Sequence, residues 1–308
     1  MAASSEFFVK VTSSVDATFA DRARALMGRA LPLELHDDRF DGWPTSGSAL
    51  GAIDQVTAVA SVDRGDLVGL VSGPIGSEVA QLDSLIAPDG PDPVQVLVSL
   101  LDAIDIEVTR AGSARVELWA KPTMPWHQIL AETRGLTEVR ALHQMRCPLP
   151  AGIDPIPTRG FEPDDLDTLR EVNNRAFHAH PDQGSQTNES LLASMSEPWF
   201  DPAGLRIHER DGMMAGFCWT KIHAPRSSPT EPGLESEALG EIYVIGVDPD
   251  FHGQGLGAPM TSAGLDWLHQ QGLVTGMLYV EADNLPAVKT YQRLGFSIVR
   301  TDRAWLLS

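Results

Sequence analysis

Apolar and polar residues recur in the same order in two halves of the chain, and this order predicts alternating strands and helices. In the second half, strand-like patterns cover GMMAGFCWTK, EIYVIGVDP and MLYVEAD, and LGFSIVRTDRAWLL predicts the closing strands. One helix-like run follows the second of these strands and ends at about Gln271, and another begins at about Asn284. In the first half, the predicted strands are GDLVGLVSG, AQLDSLIAP and ARVELWA. The predicted helices are VQVLVSLLDAI and a segment after the third strand, and the half ends with RGLTEVRALHQMRCPL.

The two halves are related by a nearly constant spacing. Pro88 and Pro249, which each follow a predicted strand, lie 161 residues apart. Arg140 and Arg300 lie 160 residues apart. A constant offset between matched features indicates an internal duplication.

A linker separates the halves. The stretch CPLPAGIDPIPTRGF is rich in proline and glycine and has no clear periodicity, so it places a boundary near Pro150. The 308 residues are enough for two domains of about 150 residues each. We therefore predict an α/β fold with mixed sheets, divided into residues 1–150 and 156–308.

Composition limits the partners of the protein. The formal net charge of −19 disfavours nucleic acids and anionic membranes, because both attract a basic surface. Cys147 and Cys218 are too few for a disulfide framework, and the N-terminal run MAASSEFFVKVTSSVD lacks a signal-peptide pattern. The most apolar run, VQVLVSLLDAIDIEV, is interrupted by Asp102 and Asp105 and is too short to span a bilayer. We expect a soluble, cytoplasmic, monomeric protein that binds neither nucleic acid nor membrane.

A glycine-rich loop, FHGQGLGAPM, joins a predicted strand to a predicted helix through Gly253, Gly255 and Gly257. Glycines permit positive φ and close ligand approach, and a helix N-terminus attracts anions. An ordinary strand-to-helix turn has the same spacing, so both interpretations stay open. Glu281 and Asp283 come too late for a dinucleotide-binding motif, and the loop does not end in the Gly-Lys-Ser/Thr of a Walker motif.

The corresponding stretch of the first half, APDGPDPVQVL, has only one glycine, Gly90. Its prolines provide no N–H donors. Its acids, Asp89 and Asp92, would repel an anion, and the segment contains no lysine or arginine to offset them. We therefore predict a single anion site, in the second half.

The run VIGVDPDFHGQGLGAPM, followed by YVEADNLPAVKTYQRLGF, resembles the GCN5-related N-acetyltransferases, whose acyl-CoA motif is Gln/Arg-x-x-Gly-x-Gly/Ala at a helix start. Gly255 and Gly257 match this motif, whereas His252 stands where the family has Gln or Arg. A second family signature is matched by Asn284, Ala287, Tyr291, Gly295 and Phe296. The resemblance implies two tandem acetyltransferase domains, the first degenerate, with acetyl-CoA as co-substrate and no metal. It implies acetyl-CoA contacts from Ile245, Gly246, Val247, His252, Gly253, Gln254, Gly255, Leu256, Gly257, Ala258, Asn284, Leu285, Pro286, Ala287, Val288 and Lys289.

Two residues are candidates for acid–base chemistry. By strand alternation, Glu241 shares a face with Tyr243 and Ile245. On its own, Glu241 could be a solvated strand end and Tyr291 a core tyrosine. The resemblance implies instead that Glu241 is the general base and Tyr291 the general acid, and that the strand before the glycine loop separates from its neighbour beside the acyl group.

The runs REVNNRAFHAHPDQG, EPWFDPAGL, GFCWTKIH and LGEIYVIGVDP resemble one branch of the family. Its two-domain members acetylate the cysteinyl amine of cysteinyl-glucosaminyl-inositol, the last step in making an actinobacterial thiol. This likeness implies substrate contacts from Asp182, Lys221, Glu241 and Tyr279. His178, His180 and Asp182 have metal-ligand side chains, but the family chemistry uses no metal. An acetyltransferase for another small amine or a peptide, and a CoA-binding module without catalysis, remain the alternatives.

Overall fold

A computed structural model describes residues 7–12, 17–31, 55–62, 65–75, 79–113, 115–178, 183–227 and 233–307. Contacts between residues divide the chain into two compact units. Unit 1 comprises residues 1–142, 226–237 and 300–308, and unit 2 comprises residues 143–225 and 238–299. Each unit thus draws on segments that are distant in the sequence. The expected domain limits, 1–150 and 156–308, stay a prediction.

Unit 1 is a sheet with helices packed on it. Its elements are β1 (Phe8–Thr12), α1 (Ala17–Ala30), β2 (Gln55–Ser61), β3 (Leu67–Pro74), β4 (Val79–Ile86), α2 (Pro93–Ala111), β5 (Arg115–Ala120), α3 (Pro125–Arg134), the first part of β6 (Thr137–Pro148) and the last part of β11 (Ser297–Leu306). Strands β1 to β5 and then β11 follow one another across the sheet, antiparallel except for the parallel pair β4 and β5. Leu97 and Leu100 of α2 are fully buried in its core.

The strands of unit 2 are mixed in direction and carry helices on both faces. Its elements are the last part of β6, α4 (Leu166–Ala176), α5 (Asn188–Met195), β7 (Leu205–Arg210), β8 (Met213–His223), β9 (Leu239–Val247), α6 (Gly257–Gln270), β10 (Thr275–Glu281), α7 (Leu285–Arg293) and the start of β11. The strands lie in the order β6, β10, β9, β8, β7, with β9 and β10 parallel and β7, β8 and β9 antiparallel.

Two apolar clusters cover the two faces of the unit 2 sheet. The α6 cluster, on the face of α6 and α7, includes Ile242, Leu268 and Leu278. The α4 cluster, on the face of α4 and α5, includes Trp219 and Val244. Because each face carries its own helices, the strands are buried on both sides, and only their ends and edges are available to a ligand.

The elements expected from hydrophobic patterning are confirmed in both halves. The strands and helices from β3 to β6 recur in the same order from β8 to β11. The closing run LGFSIVRTDRAWLL forms one strand, β11, where the pattern predicted more than one. Among the described residues, no helix is both long enough and apolar enough to cross a membrane.

Helix α6 packs closely on β8 and β9 at Gly264. A Cβ atom at this position would overlap the Sγ of Cys218 and would lie 2.9 Å from the Cδ1 of Ile242. Both cysteines, Cys147 and Cys218, are buried free thiols. Burial raises the pKa of each thiol to about 12, because a thiolate loses its hydration in an apolar surrounding.

We expect Gly264→Ala to lower the free energy of unfolding by about 1–3 kcal/mol, because the new methyl group overfills the contact between α6 and β8. The expected sign is opposite to the gain of about 1 kcal/mol that Gly to Ala gives in an open helix. Chemical denaturation provides the measurement. Gly152→Ala is the control, because no atom lies within 4 Å of a Cβ there.

If Cys218 is the obstacle, adding Cys218→Ala to Gly264→Ala should recover part of the lost stability. A Gly264→Ala variant as stable as the wild type would contradict the close packing of α6.

Candidate active site

Strands β9 and β10 pair only over a short length and then separate. Their described ladder consists of Gly276 with Gly240, Met277 with Glu241 and Leu278 with Ile242. Beyond these pairs, residues 243–247 of β9 and 279–281 of β10 have no register with each other. The separation expected before the glycine loop is therefore present, and it begins at Tyr243, two residues after Glu241.

A β-bulge at Tyr243 accompanies the separation. On β8, Thr220 pairs with Ile242 and the preceding Trp219 pairs with Val244, so Tyr243 is an extra residue in β9. The bulge reverses the alternation: Ile242 and Ile245 both pack on the α6 cluster, whereas Val244 packs on the α4 cluster. The expectation that Glu241 and Ile245 share a face is therefore wrong, because it assumed a regular strand.

Glu241 is a buried carboxylate, with 6% of the residue exposed. The alternative of a solvated strand end is thereby excluded. Its Oε2 lies 2.7 Å from the Nε2 of His223, which is also buried. Lys221, two residues before His223 on β8, is the direct register partner of Glu241. The strand pairing therefore brings together a carboxylate, an imidazole and an ammonium group on one face.

Aromatic rings surround the ammonium group of Lys221. Its Nζ lies 4.6 Å from the ring centroid of Trp199 and 5.5 Å from that of Tyr243, in cation–π contact. Trp219 contacts both rings, with centroid distances of 6.0 Å to Trp199 and 5.8 Å to Tyr243. Lys221 is therefore held in place by packing against these rings.

Tyr291 lies on α7 and packs against the α6 cluster, with its ring centroid 5.9 Å from that of Phe296. Burial raises the pKa of its phenol to about 12, with a smaller contribution from Cys218. The phenol therefore stays protonated at every physiological pH. Tyr291 therefore packs on the side of the sheet that carries the α6 cluster.

Tyr279 projects from the part of β10 that has left β9. Its hydroxyl accepts a hydrogen bond of 2.6 Å from the Nε2 of Gln144 on β6, a fully buried side chain. The Oε1 of Gln144 in turn accepts from the Nε of Arg146 at 3.1 Å. This chain fixes the orientation of the Tyr279 ring. Sequence reasoning missed Gln144 and His223, because each acts across the sheet on a residue that is distant in the chain.

The glycine loop adopts the backbone conformations that its composition predicts. Gly253 and Gly255 have φ of 75° and 74°, in the left-handed region that favours glycine. Gly257 begins α6 without positive φ, and a Cβ there would meet open space. No side chain caps the start of α6. This helix N-terminus is therefore available to an external acceptor.

In the first half, the N-terminus of the corresponding helix, α2, is capped by a side chain of the same segment. Asp92 caps α2 and accepts hydrogen bonds of 2.9 Å from the N–H of Val94 and 3.1 Å from that of Gln95. Arg29 of α1 forms an ion pair with Asp89 and holds the pKa of that carboxyl below its usual value. The charge of Asp89 is thus offset from outside the segment, which the sequence did not reveal.

Side chains around the glycine loop fix its conformation. The ring of His252 turns back, and its Nε2 lies 2.9 Å from the carbonyl oxygen of Val247. Gln254 accepts a hydrogen bond from Arg210 at the end of β7. Arg210 is a cation beside the loop that sequence reasoning missed, because it lies 44 residues earlier in the chain. His252 and Gln254 themselves are exposed, as a ligand-binding loop requires.

The remaining candidate contacts differ in what they can offer a ligand. Asn284 caps α7, because its side-chain oxygen accepts a hydrogen bond of 3.3 Å from the N–H of Ala287. Val288 and Leu256 have buried side chains. At Gly246 a Cβ would lie 2.7 Å from the ring of Phe217, so packing alone requires glycine there. Among the candidate contacts from 284 to 289, the exposed residues are Asn284, Leu285, Pro286 and Lys289.

Asp182 and His180 lie outside the described residues. Gln183, which follows directly, is tied to α4 because the Nδ2 of Asn173 donates to its carbonyl oxygen at 2.8 Å. Gln183 and Asn173 line a cavity of about 40 Å³ together with Trp219 and Tyr243. Within the described part of the chain, no group of His, Cys, Asp or Glu side chains is arranged to hold a metal ion.

The site can now be compared with known proteins. Residues 166–296 match the acetyltransferase (GNAT) family. The chain is 43% identical over 235 residues to the mycothiol acetyltransferase of Acidimicrobium ferrooxidans, a match that covers 72% of each chain. The chain belongs to the mycothiol acetyltransferase family. The family member of Catenulispora acidiphila is 40% identical over 261 residues, which are 78% of this chain and 81% of the relative.

Solved structures confirm the fold. A GCN5-related N-acetyltransferase from Sphaerobacter thermophilus matches with a TM-score of 0.69 at 15% identity, over 97% of this chain and 95% of that one. A tandem GNAT protein from the clavulanic acid biosynthesis pathway matches with a TM-score of 0.63 at 16% identity, over 98% of each chain. This member of the mycothiol acetyltransferase family is therefore a mixed α/β protein with a GNAT domain, and it is an N-acetyltransferase that uses an acyl-CoA.

Two glycines of the loop provide a matched pair of variants for acetyl-CoA binding. We expect Gly255→Ala to weaken binding about 5- to 30-fold, because an alanine at this φ costs about 1–2 kcal/mol and shifts the loop. Gly257→Ala should bind within about twofold of the wild type, because position 257 has neither positive φ nor a close neighbour. Calorimetric titration provides both dissociation constants. Equal affinities for the two variants would show that the loop conformation does not determine binding.

Proposed function

We propose that this protein transfers an acetyl group from acetyl-CoA to the cysteinyl amine of cysteinyl-glucosaminyl-inositol, the reaction that completes mycothiol. The observation that carries the proposal is Glu241, a buried carboxylate held by His223 where β9 and β10 separate. The relatives described above support the choice of substrate, because they are named mycothiol acetyltransferases.

The residues present fit an acyl-CoA. Between residues 243–247 and 279–281 the strands leave backbone groups unpaired with each other, which suits an extended pantetheine arm. Ile245, Gly246 and Val247 would line this arm. The positive φ of Gly253 and Gly255 and the uncapped start of α6 suit a pyrophosphate. When bound there, acetyl-CoA supplies the thioester that carries the acetyl group.

Glu241 would act as the general base. A cysteinyl amine resembles an α-amino group, with an ordinary pKa of about 7.7–8.0, so much of it is protonated at neutral pH. The carboxylate of Glu241 can hold this ammonium group and accept its proton, directly or through a water molecule. Burial strengthens the interaction, because little solvent competes for the charge.

Tyr291 would act as the general acid for the leaving thiolate. Because burial raises its pKa to about 12, the phenol stays protonated and can donate a hydrogen bond, and then a proton, to the departing sulfur. An alkaline limb of the pH–rate profile below about pH 10 would therefore have to come from another group.

The polar substrate would bind on the face of Glu241. Lys221 and Tyr279 present polar groups there, and each has a fixed orientation. Trp219 is among the residues that line the small cavity beside Tyr243, and its indole N–H is buried and has no acceptor among the described residues. A buried donor without an acceptor favours a bound hydroxyl group or water at this place. Asp182, directly before Gln183, would add an acidic contact.

We expect Glu241→Gln to keep the fold and the affinity for acetyl-CoA but to lose about 10²- to 10⁴-fold in kcat/KM for the cysteinyl amine near neutral pH. Glutamine preserves the shape of the side chain but cannot accept the proton. Steady-state kinetics with cysteinyl-glucosaminyl-inositol, and with a panel of other small amines and peptides, test the base and the substrate together. Wild-type kcat/KM in this variant would remove Glu241 from the mechanism, and preference for another amine would overturn the proposed substrate.

We expect Asp182→Ala to raise KM for the cysteinyl-sugar substrate and to leave acetyl-CoA affinity unchanged, because Gln183, the next residue in the sequence, lines the cavity beside Tyr243. Glu189→Ala is the control, since it removes the same charge from an exposed position on α5. An equal loss of acetyl-CoA affinity in calorimetry would assign Asp182 to the cofactor site instead.

A further inference from the structure

We propose that His223 is a positioning residue for Glu241: it binds one carboxylate oxygen and leaves the other for the substrate amine. The inference rests on the proposed function, because it assigns a role within the same site. No motif of the sequence points to His223, and only the pairing of β8 with β9 brings it to the carboxylate.

The register of the two strands explains the contact. His223 pairs with Leu239 and Lys221 pairs with Glu241, so His223 and Glu241 are diagonal neighbours on one face. Such neighbours are within reach of long side chains. The His223 Nε2 and the Glu241 Oε2 lie 2.7 Å apart, and their side chains are 6% and 8% exposed. The distance is that of a short, charge-assisted hydrogen bond.

The hydrogen bond matters because the carboxylate of Glu241 is buried. A carboxylate taken out of water without a donor is costly, and it either takes up a proton or moves. Among the described residues, His223 donates a hydrogen bond to the Oε2 of Glu241. The other carboxylate oxygen, Oε1, has no hydrogen-bond partner among them. The hydrogen bond therefore fixes the rotamer of Glu241 and leaves Oε1 for the substrate amine.

The strand register places few other ionisable side chains beside this pair. Helix α4, which also packs on β8 and β9, carries Asp167, Arg170, Glu171 and Arg175, and both arginines form ion pairs with acidic side chains. On β8 the register partner of Glu241 is Lys221, whose ammonium group lies against Trp199. On β9 the next ionisable side chain is Tyr243. On β10 the partner of Glu241 is Met277, and the nearest ionisable side chain of that strand is Tyr279. His223 and Lys221 are therefore the basic side chains that the pairing of β8 with β9 places beside Glu241.

Two substitutions separate hydrogen bonding from packing. His223→Leu fills similar space but removes the donor, whereas the amide of His223→Gln can place an N–H close to the position of Nε2. We expect His223→Leu to lower kcat/KM about 10- to 100-fold, the loss expected when a hydrogen bond to a charged group is removed. We also expect it to move the acidic limb of the pH–rate profile upward by about one to two pH units, because an unsupported buried carboxylate is protonated more readily.

His223→Gln should keep an acidic limb near that of the wild type and recover most of the rate. Both variants should bind acetyl-CoA with unchanged affinity, which would show that the fold is intact. Thr220→Val is the matched control: it removes a buried hydrogen bond on the same strand, from Thr220 to the carbonyl of Gly204, and should leave the acidic limb in place. An unmoved acidic limb in His223→Leu, or equal losses in the Leu and Gln variants, would overturn the role of His223.

A readout without turnover tests the contact itself. In nitrogen-15 spectra of the histidine rings of the free protein, the His223 signals should report a hydrogen-bonded Nε2 and should shift in Glu241→Gln. Unchanged His223 signals in that variant would overturn the proposal, whatever the protein acetylates. If the wild type acetylates none of the amines tested but the signals do shift, the proposed function fails and the pairing of His223 with Glu241 stands.

Discussion

The hydrogen-bonded ladder between β9 and β10 stops after Ile242, and the candidate site exists because of that loss of pairing. A continuous parallel ladder would use the backbone groups of both strands and would leave no room between them. The bulge at Tyr243 and the separation of the strands occur at the same place, so one irregularity opens the sheet and re-aims the side chains of β9. Glu241 lies just before this point and is paired with both neighbouring strands, with Lys221 on β8 and with Met277 on β10.

The two halves of the chain show how little is needed to open or close an anion site. Both contain a strand, a turn and a helix in the same order. In the first half, Asp92 satisfies the first-turn N–H groups of α2 from within the chain. In the second half, Gly253 and Gly255 shape a loop that leaves the start of α6 uncapped. The difference lies in a few side chains at a helix end, on a common framework.

Much of the fold could be predicted from the sequence, because strand alternation and helical periodicity are local properties. The left-handed glycines could also be predicted, since few other residues adopt that backbone conformation. The face of Ile245 could not, because a bulge adds one residue and reverses every side chain beyond it. The contacts of Glu241 with His223 and of Asp89 with Arg29 depend on strand register and helix packing, which no local pattern contains. Periodicity likewise does not reveal that the last residues of β11 pair with β5.

The close approach of α6 to β8 has a consequence for redox chemistry. Thiol–disulfide exchange requires a thiolate, and burial keeps Cys147 and Cys218 protonated by raising each pKa to about 12. Both sulfur atoms are buried, one of them under the backbone of Gly264, so neither thiol is expected to form a mixed disulfide with a small thiol while the protein stays folded.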